Sequence, residues 1–160
     1  DLLTEEMLDN GLAYNEDLLA NWRAFLAAPG CAYCDFAGYH YRQHAASASH
    51  RALPPQSIDD QRRAAAEIRA TAPDALRESV NAFYYEKLVY LTSMILRRAN
   101  ADDYRTQLCE LKVAIAAGEK DPQLGHNPQL PRSIQLAAFL TLHAPRLWRW
   151  VCQNFLKDRQ

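Results

Sequence analysis

Apolar side chains recur mostly at helical spacing along this chain, with one short interruption near residue 40. Residues 5–10 predict a short helix stopped by Asn10-Gly11, a helix-ending and turn signal. A second helix is predicted from Asn15, a good N-cap residue, with Glu16 and Asp17 in its first turn. Its apolar positions Leu18, Trp22, Phe25 and Leu26 fall at i, i+4, i+7 and i+8, the spacing of one buried face, and Pro29-Gly30 ends it. From residue 31 to 43 the period changes. Tyr33, Phe36, Tyr39 and Tyr41 favour β structure and Gly38 interrupts them, which predicts two short strands around a bend. Residues 45–57 are small and polar, then carry Pro54-Pro55, and read as a loop.

Beyond that loop every pattern is helical. A helix over about 58–71 has Ser57 and Asp59 as candidate caps and Ile58, Ala65 and Ile68 inward. Pro73 is placed to start the longest helix, about 74–99, along the stripe Leu76, Val80, Phe83, Tyr84, Leu88, Leu91 and Ile95. Asp102 opens another, with Tyr104, Leu108, Leu111 and Ile115 inward and Gly118 at its end. Residues 119–131 hold Gly125, Pro122, Pro128 and Pro131 and predict irregular chain. Two last helices, about 132–143 and 146–157, are split by Pro145. The expected fold class is therefore mainly α with a small β element. A mixed front over residues 1–50 is joined to a helical, bundle-like region over 51–160. Two strands cannot complete a sheet, so the front reads as the edge of a larger α/β fold whose earlier strands lie upstream.

Composition narrows this picture in three ways. An apolar fraction of 49% and a charged fraction of 23% belong to an ordinary globular chain, and 160 residues suit one core. A net charge of −1 gives no general bias toward nucleic acid, so no nucleic-acid partner is expected. Locally the charge is uneven. Residues 1–20 carry acids and no base, whereas residues 131–160 carry Arg132, Arg146, Arg149, Lys157 and Arg159 against Asp158 alone. Four irregularly spaced cysteines do not form a disulfide scaffold, and no apolar run approaches the ~20 residues that span a bilayer. A reducing, cytoplasmic setting is expected, with the inner face of the cell membrane as a peripheral option. A chain opening on Asp1 rather than Met is expected to be a piece of a longer protein.

The segment Cys31-Ala32-Tyr33-Cys34 with His40 and His44 has the letters of a zinc finger. Its spacing does not suit one. Fingers separate their ligand pairs by about a dozen residues, and here Cys34 and His40 are too close for a hairpin to fold back onto a helix. On a strand Cys31 and Cys34 would also point to opposite faces. No metal ligand set is assigned. A redox role is disfavoured as well, because such a cysteine pair normally opens a helix and Cys34-Asp35-Phe36 does not continue one.

Glu16-Asp17 has a plain structural reading, since two carboxylates in a first turn complement the helix dipole at about 0.3–1 kcal/mol each. The same placement suits catalysis, because a rigid helix start can aim an ionised carboxylate at a hydroxyl. Tyr14-Asn15-Glu16-Asp17-Leu18-Leu19, followed by Tyr39-His40-Tyr41-Arg42-Gln43-His44 and Ser47-Ala48-Ser49, resembles the back end of a family-2 glycosyltransferase of the GT-A fold, the bacterial enzymes of surface and exopolysaccharide assembly. The tail is similar too, through Asn127-Pro128-Gln129-Leu130 and Ala144-Pro145-Arg146-Leu147-Trp148. The resemblance is strong over 11–49 and loose over 57–155. One departure stands out: the family's Asp-x-Asp motif is absent from this chain, as is its nucleotide-binding sheet.

The resemblance implies the C-terminal portion of an inverting, nucleotide-sugar-dependent enzyme acting on a saccharide or lipid-linked acceptor. Asp17 would be the general base and Glu16 would orient it or contact the acceptor. Arg42 and His44 would face the departing diphosphate, with Ser47 and Ser49 as further phosphate donors. For Arg42 a strand-edge salt bridge, and for the serines a turn-forming role, remain open. Mn²⁺ or Mg²⁺ would serve the intact enzyme, bound mostly outside this chain, and the fragment alone is expected to be inactive. The rival is a non-catalytic helical module for oligomerisation, partner binding or membrane attachment. Two further partners are expected on physical grounds. The aromatic and basic helix within 144–157 suits a membrane interface, with packing onto the helical rear as the plain alternative, and an unpaired sheet edge would favour a homodimer.

Overall fold

Proline and short polar turns decide where the helices begin. The computed structural model describes residues 11–32, 35, 54–98 and 100–156. In it α1 spans Glu16–Ala27 and α2 spans Pro55–Thr71. Pro55 occupies the first turn of α2, where its missing N–H leaves no bond unmade, and the Ser57 hydroxyl donates to the Pro54 carbonyl at 2.7 Å. Pro73 then breaks the chain into a 3-10 turn, Asp74–Leu76, which leads into α3, Arg77–Leu96. A second 3-10 turn, Ala101–Tyr104, opens α4, Arg105–Glu119. The last pair, α5 (Arg132–His143) and α6 (Pro145–Asn154), meets at Ala144, and Pro145 again sits in a first helical turn.

The mainly helical expectation holds, and no strand is present among the described residues. The helix expected over 5–10 and nearly all of the two strands expected over 31–43 lie outside those residues.

α3 is the centre of the molecule and packs against α2, α4, α5 and α6. Its buried residues therefore run around the helix rather than along one stripe. Tyr85, Leu88, Val89, Leu91 and Ile95 are all buried, and so are the polar Asn81, Thr92 and Ser93. The hydroxyls of Thr92 and Ser93 donate to the carbonyls of Leu88 and Val89, at 2.9 and 2.8 Å, so burial leaves neither unsatisfied. Around this axis Ile58, Tyr104, Leu111, Ile115, Leu124, Leu130, Ala137, Ala138, Trp148 and Cys152 close the main core. A smaller cluster joins Leu19 of α1 to Ala64, Ile68, Ala72 and Val80.

Gly118 is the next-to-last residue of α4, at the end the sequence predicts for that helix. It allows the Tyr85 ring to press against it: a Cβ there would sit 2.5 Å from Tyr85 Cε2. The irregular stretch that follows is held by Asn127. Its Nδ2 donates to the Glu78 carbonyl at 2.8 Å and to the Gln123 carbonyl at 3.0 Å, while its Oδ1 accepts from Gln129 N at 2.9 Å. This fully buried side chain fastens the loop to the first turn of α3.

Candidate functional site

The approach to α1 is shaped by two left-handed residues, Gly11 (φ 67°) and Asn15 (φ 61°). Asn15 takes this conformation more readily than most residues because its short amide tolerates it. It makes no side-chain cap, which corrects its expected role as a capping residue. The helix start is instead secured from α2. Ala13 N donates to Asp60 Oδ2 at 3.0 Å, and Gln56 Nε2 donates to Asp60 Oδ1 at 2.7 Å, so this buried carboxylate has both oxygens engaged. Further along, Arg23 pairs with Glu67, its Nε donating at 3.1 Å, and Trp22 Nε1 donates to the Thr71 hydroxyl at 2.9 Å. One contact just before α1 and two in its middle, at Trp22 and Arg23, thus tie it to α2.

Glu16 and Asp17, the predicted catalytic pair, are the first two residues of this helix, and both are exposed. Asp17 Oδ1 accepts from Leu18 N at 2.8 Å. The predicted substrate-binding residues Arg42, His44, Ser47 and Ser49 lie outside the described residues, as do Cys34 and His40. Cys31 is an exposed free thiol. Among the described residues no grouping of three or more His, Cys, Asp or Glu side chains could hold a metal ion.

None of the four positions predicted for the buried face of α1 is fully buried. Leu19 and Ala20 are the buried residues of that helix, while Phe25 and Leu26 stand exposed. Leu18, Trp22 and Phe25 instead line one side of an apolar groove of about 390 Å³ whose other side is Ile68, Leu76, Val80 and Phe83. A second, polar cleft of about 570 Å³ opens between α2, the Pro73 corner and the loop after α4. Arg69 and Arg77 face it. Arg69 Nε donates to the buried Asn81 Oδ1 at 2.9 Å and its guanidinium lies over the Tyr84 ring at 5.1 Å, while Arg77 reaches Asp74 at 3.3 Å. Neither Glu16 nor Asp17 lines either hollow.

Comparison with protein-family models, curated proteins and solved structures finds no match.

Sequence patterns gave no sign of Asp60 or the Arg69–Asn81 contact, and marked Asn127 through the resemblance of the tail without its buried anchoring role. Each is a polar side chain within a helical or irregular stretch, and only its long-range partner reveals its role. Among the described residues burial shifts the ionisation of three groups. Burial, reinforced by the nearby Glu119 carboxylate, pushes the Tyr85 phenol up to about 12. Burial lowers Lys87. Burial also raises the Cys152 thiol, against the opposing pull of Arg97 and a hydrogen bond with Ser93. None of the three lies on α1, so none tunes the Glu16–Asp17 pair directly. No helix among the described residues is long and apolar enough to cross a membrane.

Proposed function

We propose that this chain is the acceptor-side and C-terminal part of an inverting, nucleotide-sugar-dependent glycosyltransferase that extends a saccharide or lipid-linked acceptor. The observation that carries this reading is the placement of Asp17. It is exposed in the first turn of a helix tied to α2 through Asp60, Glu67 and Thr71, and one of its oxygens is steadied by Leu18 N. A base that must meet an incoming hydroxyl needs both rigidity and access. The resemblance carried by Glu16-Asp17 and by Tyr41-Arg42-Gln43-His44 supports the same assignment.

In this reading Asp17 takes the proton from the acceptor hydroxyl as its oxygen attacks the anomeric carbon. The bond to the nucleoside diphosphate breaks on the opposite face, which inverts the configuration. Glu16 orients the acceptor or the base. Arg42 meets the charge that develops on the departing diphosphate, because a guanidinium stays ionised and grips phosphate oxygens in pairs. His44, Ser47 and Ser49 add donors beside it. A divalent ion, Mn²⁺ or Mg²⁺, belongs to this reaction class and would be held mostly by residues outside this chain, since the described residues hold no ligand set for it.

The rival reading, a non-catalytic helical module in a cytoplasmic or membrane-peripheral protein, draws on one observation: the predicted pair lines neither of the two hollows described above. One experiment separates the two readings. The chain is expressed together with the coding sequence preceding Asp1 and assayed for sugar transfer from a panel of nucleotide-sugars, as wild type and as Asp17→Asn. Transfer should be measurable, and the variant should lose roughly 10²–10⁴-fold in turnover while donor binding stays near wild type. Near-normal turnover in the variant removes Asp17 from the mechanism. Absence of transfer from the longer wild-type protein favours the module.

A further inference from the structure

Among the described residues the exposed large apolar side chains concentrate toward the end: Leu136, Phe139, Leu147, Trp150, Phe155 and Leu156 fall in α5, α6 or directly after them, whereas α1 contributes Phe25 and Leu26 and residues 54–130 contribute Leu76, Tyr90 and Val113. The same terminal stretch, 130–156, holds Arg132, Arg146 and Arg149 and no acid at all. An apolar surface with one sign of charge requires a partner that is both apolar and of opposite charge.

α6 shows how this surface is built. Trp148 and Cys152 are buried and anchor one side of the helix in the core. At 3.6 residues per turn the opposite side is the line Arg146, Trp150 and Asn154, with Leu147 beside it. Trp150 is 54% exposed, Leu147 50% and Phe155 69%. Trp150 and Phe155 meet edge to face with ring centroids 5.3 Å apart, so the two exposed rings support each other. The helix end is held in place as Arg97 Nη1 donates to the Leu156 carbonyl at 3.2 Å. Arg149 reaches the exposed Asp102 at 3.9 Å, too far for a hydrogen bond, and so remains available to another anion.

We propose that the outer face of α6 docks on an anionic lipid surface. Trp150, Leu147 and Phe155 enter at headgroup depth, and Arg146 and Arg149 lie against lipid phosphates. Two features favour lipid over a protein partner. The arginines sit among the aromatic and aliphatic side chains rather than around an apolar centre, as in helices lying in an interface plane. The helix has ten residues, enough to lie on a bilayer and too few to cross it. The surface is independent of Asp17 and of any transfer reaction.

The test is sedimentation of the 160-residue chain with vesicles of phosphatidylcholine alone and with roughly 30% phosphatidylglycerol. Partitioning should be about tenfold stronger on the anionic vesicles and should fall several-fold as salt rises from about 0.05 to 0.5 M. Trp150→Ala and the pair Arg146→Gln with Arg149→Gln should each weaken it by about fivefold or more. These positions are outward-facing, so melting temperatures should stay at the wild-type value. That control separates lost docking from lost folding. Equal binding to both vesicle types, or no binding, overturns the proposal. So does self-association in the absence of lipid that Trp150→Ala abolishes, which would make the same face an interface between copies.

Discussion

One added methyl group at Gly118 sets two effects against each other. Alanine favours a helix interior by about 1 kcal/mol over glycine. The new Cβ, however, would lie 2.5 Å from Cε2 and 2.8 Å from Cδ2 of Tyr85, a ring that is itself fully buried and cannot swing away. Overpacking of this kind costs ~1–3 kcal/mol, and here it outweighs the propensity gain. Gly118→Ala should therefore lower stability by about 1–2 kcal/mol, measured by urea unfolding, and replacing Tyr85 with a smaller residue in the same chain should remove much of the added penalty. The contrast with Asp17 is informative. Asp17→Asn lies at an exposed helix start, should change stability by less than ~1 kcal/mol, and so can report on chemistry alone.

At the scale of elements, apolar period and proline position made the helices legible. Among the described residues each of the six helices begins and ends within about a turn of where the pattern places it, helped by Pro73 and Pro145, which punctuate the chain whatever packs around them. The start of α2 was missed by a turn: Pro54-Pro55 read as loop, although the second proline is a helix-starting residue. For α1 the period picked out Leu18, Trp22, Phe25 and Leu26, whereas the buried residues are Leu19 and Ala20. Packing against α2 buries Leu19 and Ala20 and leaves Phe25 at 64% exposure, and no rule of spacing encodes how far a neighbour extends. The candidate site was legible as letters, Glu16-Asp17, while its support from Asp60 was not, because Ala13 and Asp60 are far apart in sequence. The same holds for the 119–131 stretch, which looks structureless in sequence and is fastened by one amide. Asn127→Ala would strand the Gln129 N–H and the carbonyls of Glu78 and Gln123 together. A loss of ~2–3 kcal/mol is expected in thermal or urea unfolding, with Asn127→Asp only partly restoring it, since a carboxylate accepts from Gln129 N but donates to neither carbonyl.

The whole molecule should respond to alkali through Tyr85. Burial first, and the Glu119 charge second, hold its folded pKa at about 12 against an ordinary value of 10.0. The raised folded value means that the neutral phenol is favoured by folding. Its contribution is fully present below pH 10 and is lost as pH rises through about 12. Stability should fall by about 2 kcal/mol over that interval, beyond the general effect of alkaline charge. Tyr85→Phe, which gives up only a 3.5 Å contact to the Ile115 carbonyl, should flatten this part of the profile in denaturant titrations at successive pH values. An unchanged slope would assign the alkaline loss to other groups.

The central place of α3 also has a consequence for biosynthesis. This helix buries residues on several of its sides and is complete at Leu96, yet α4, α5 and α6, which pack against much of it, are made afterwards. At the usual ~5–20 residues per second, Leu96 precedes Asn154 out of the ribosome by several seconds. During that delay Leu88, Leu91 and Ile95 have only part of their final cover, from α2, and the nascent chain should show exposed apolar surface until Trp148 and Cys152 arrive to close it.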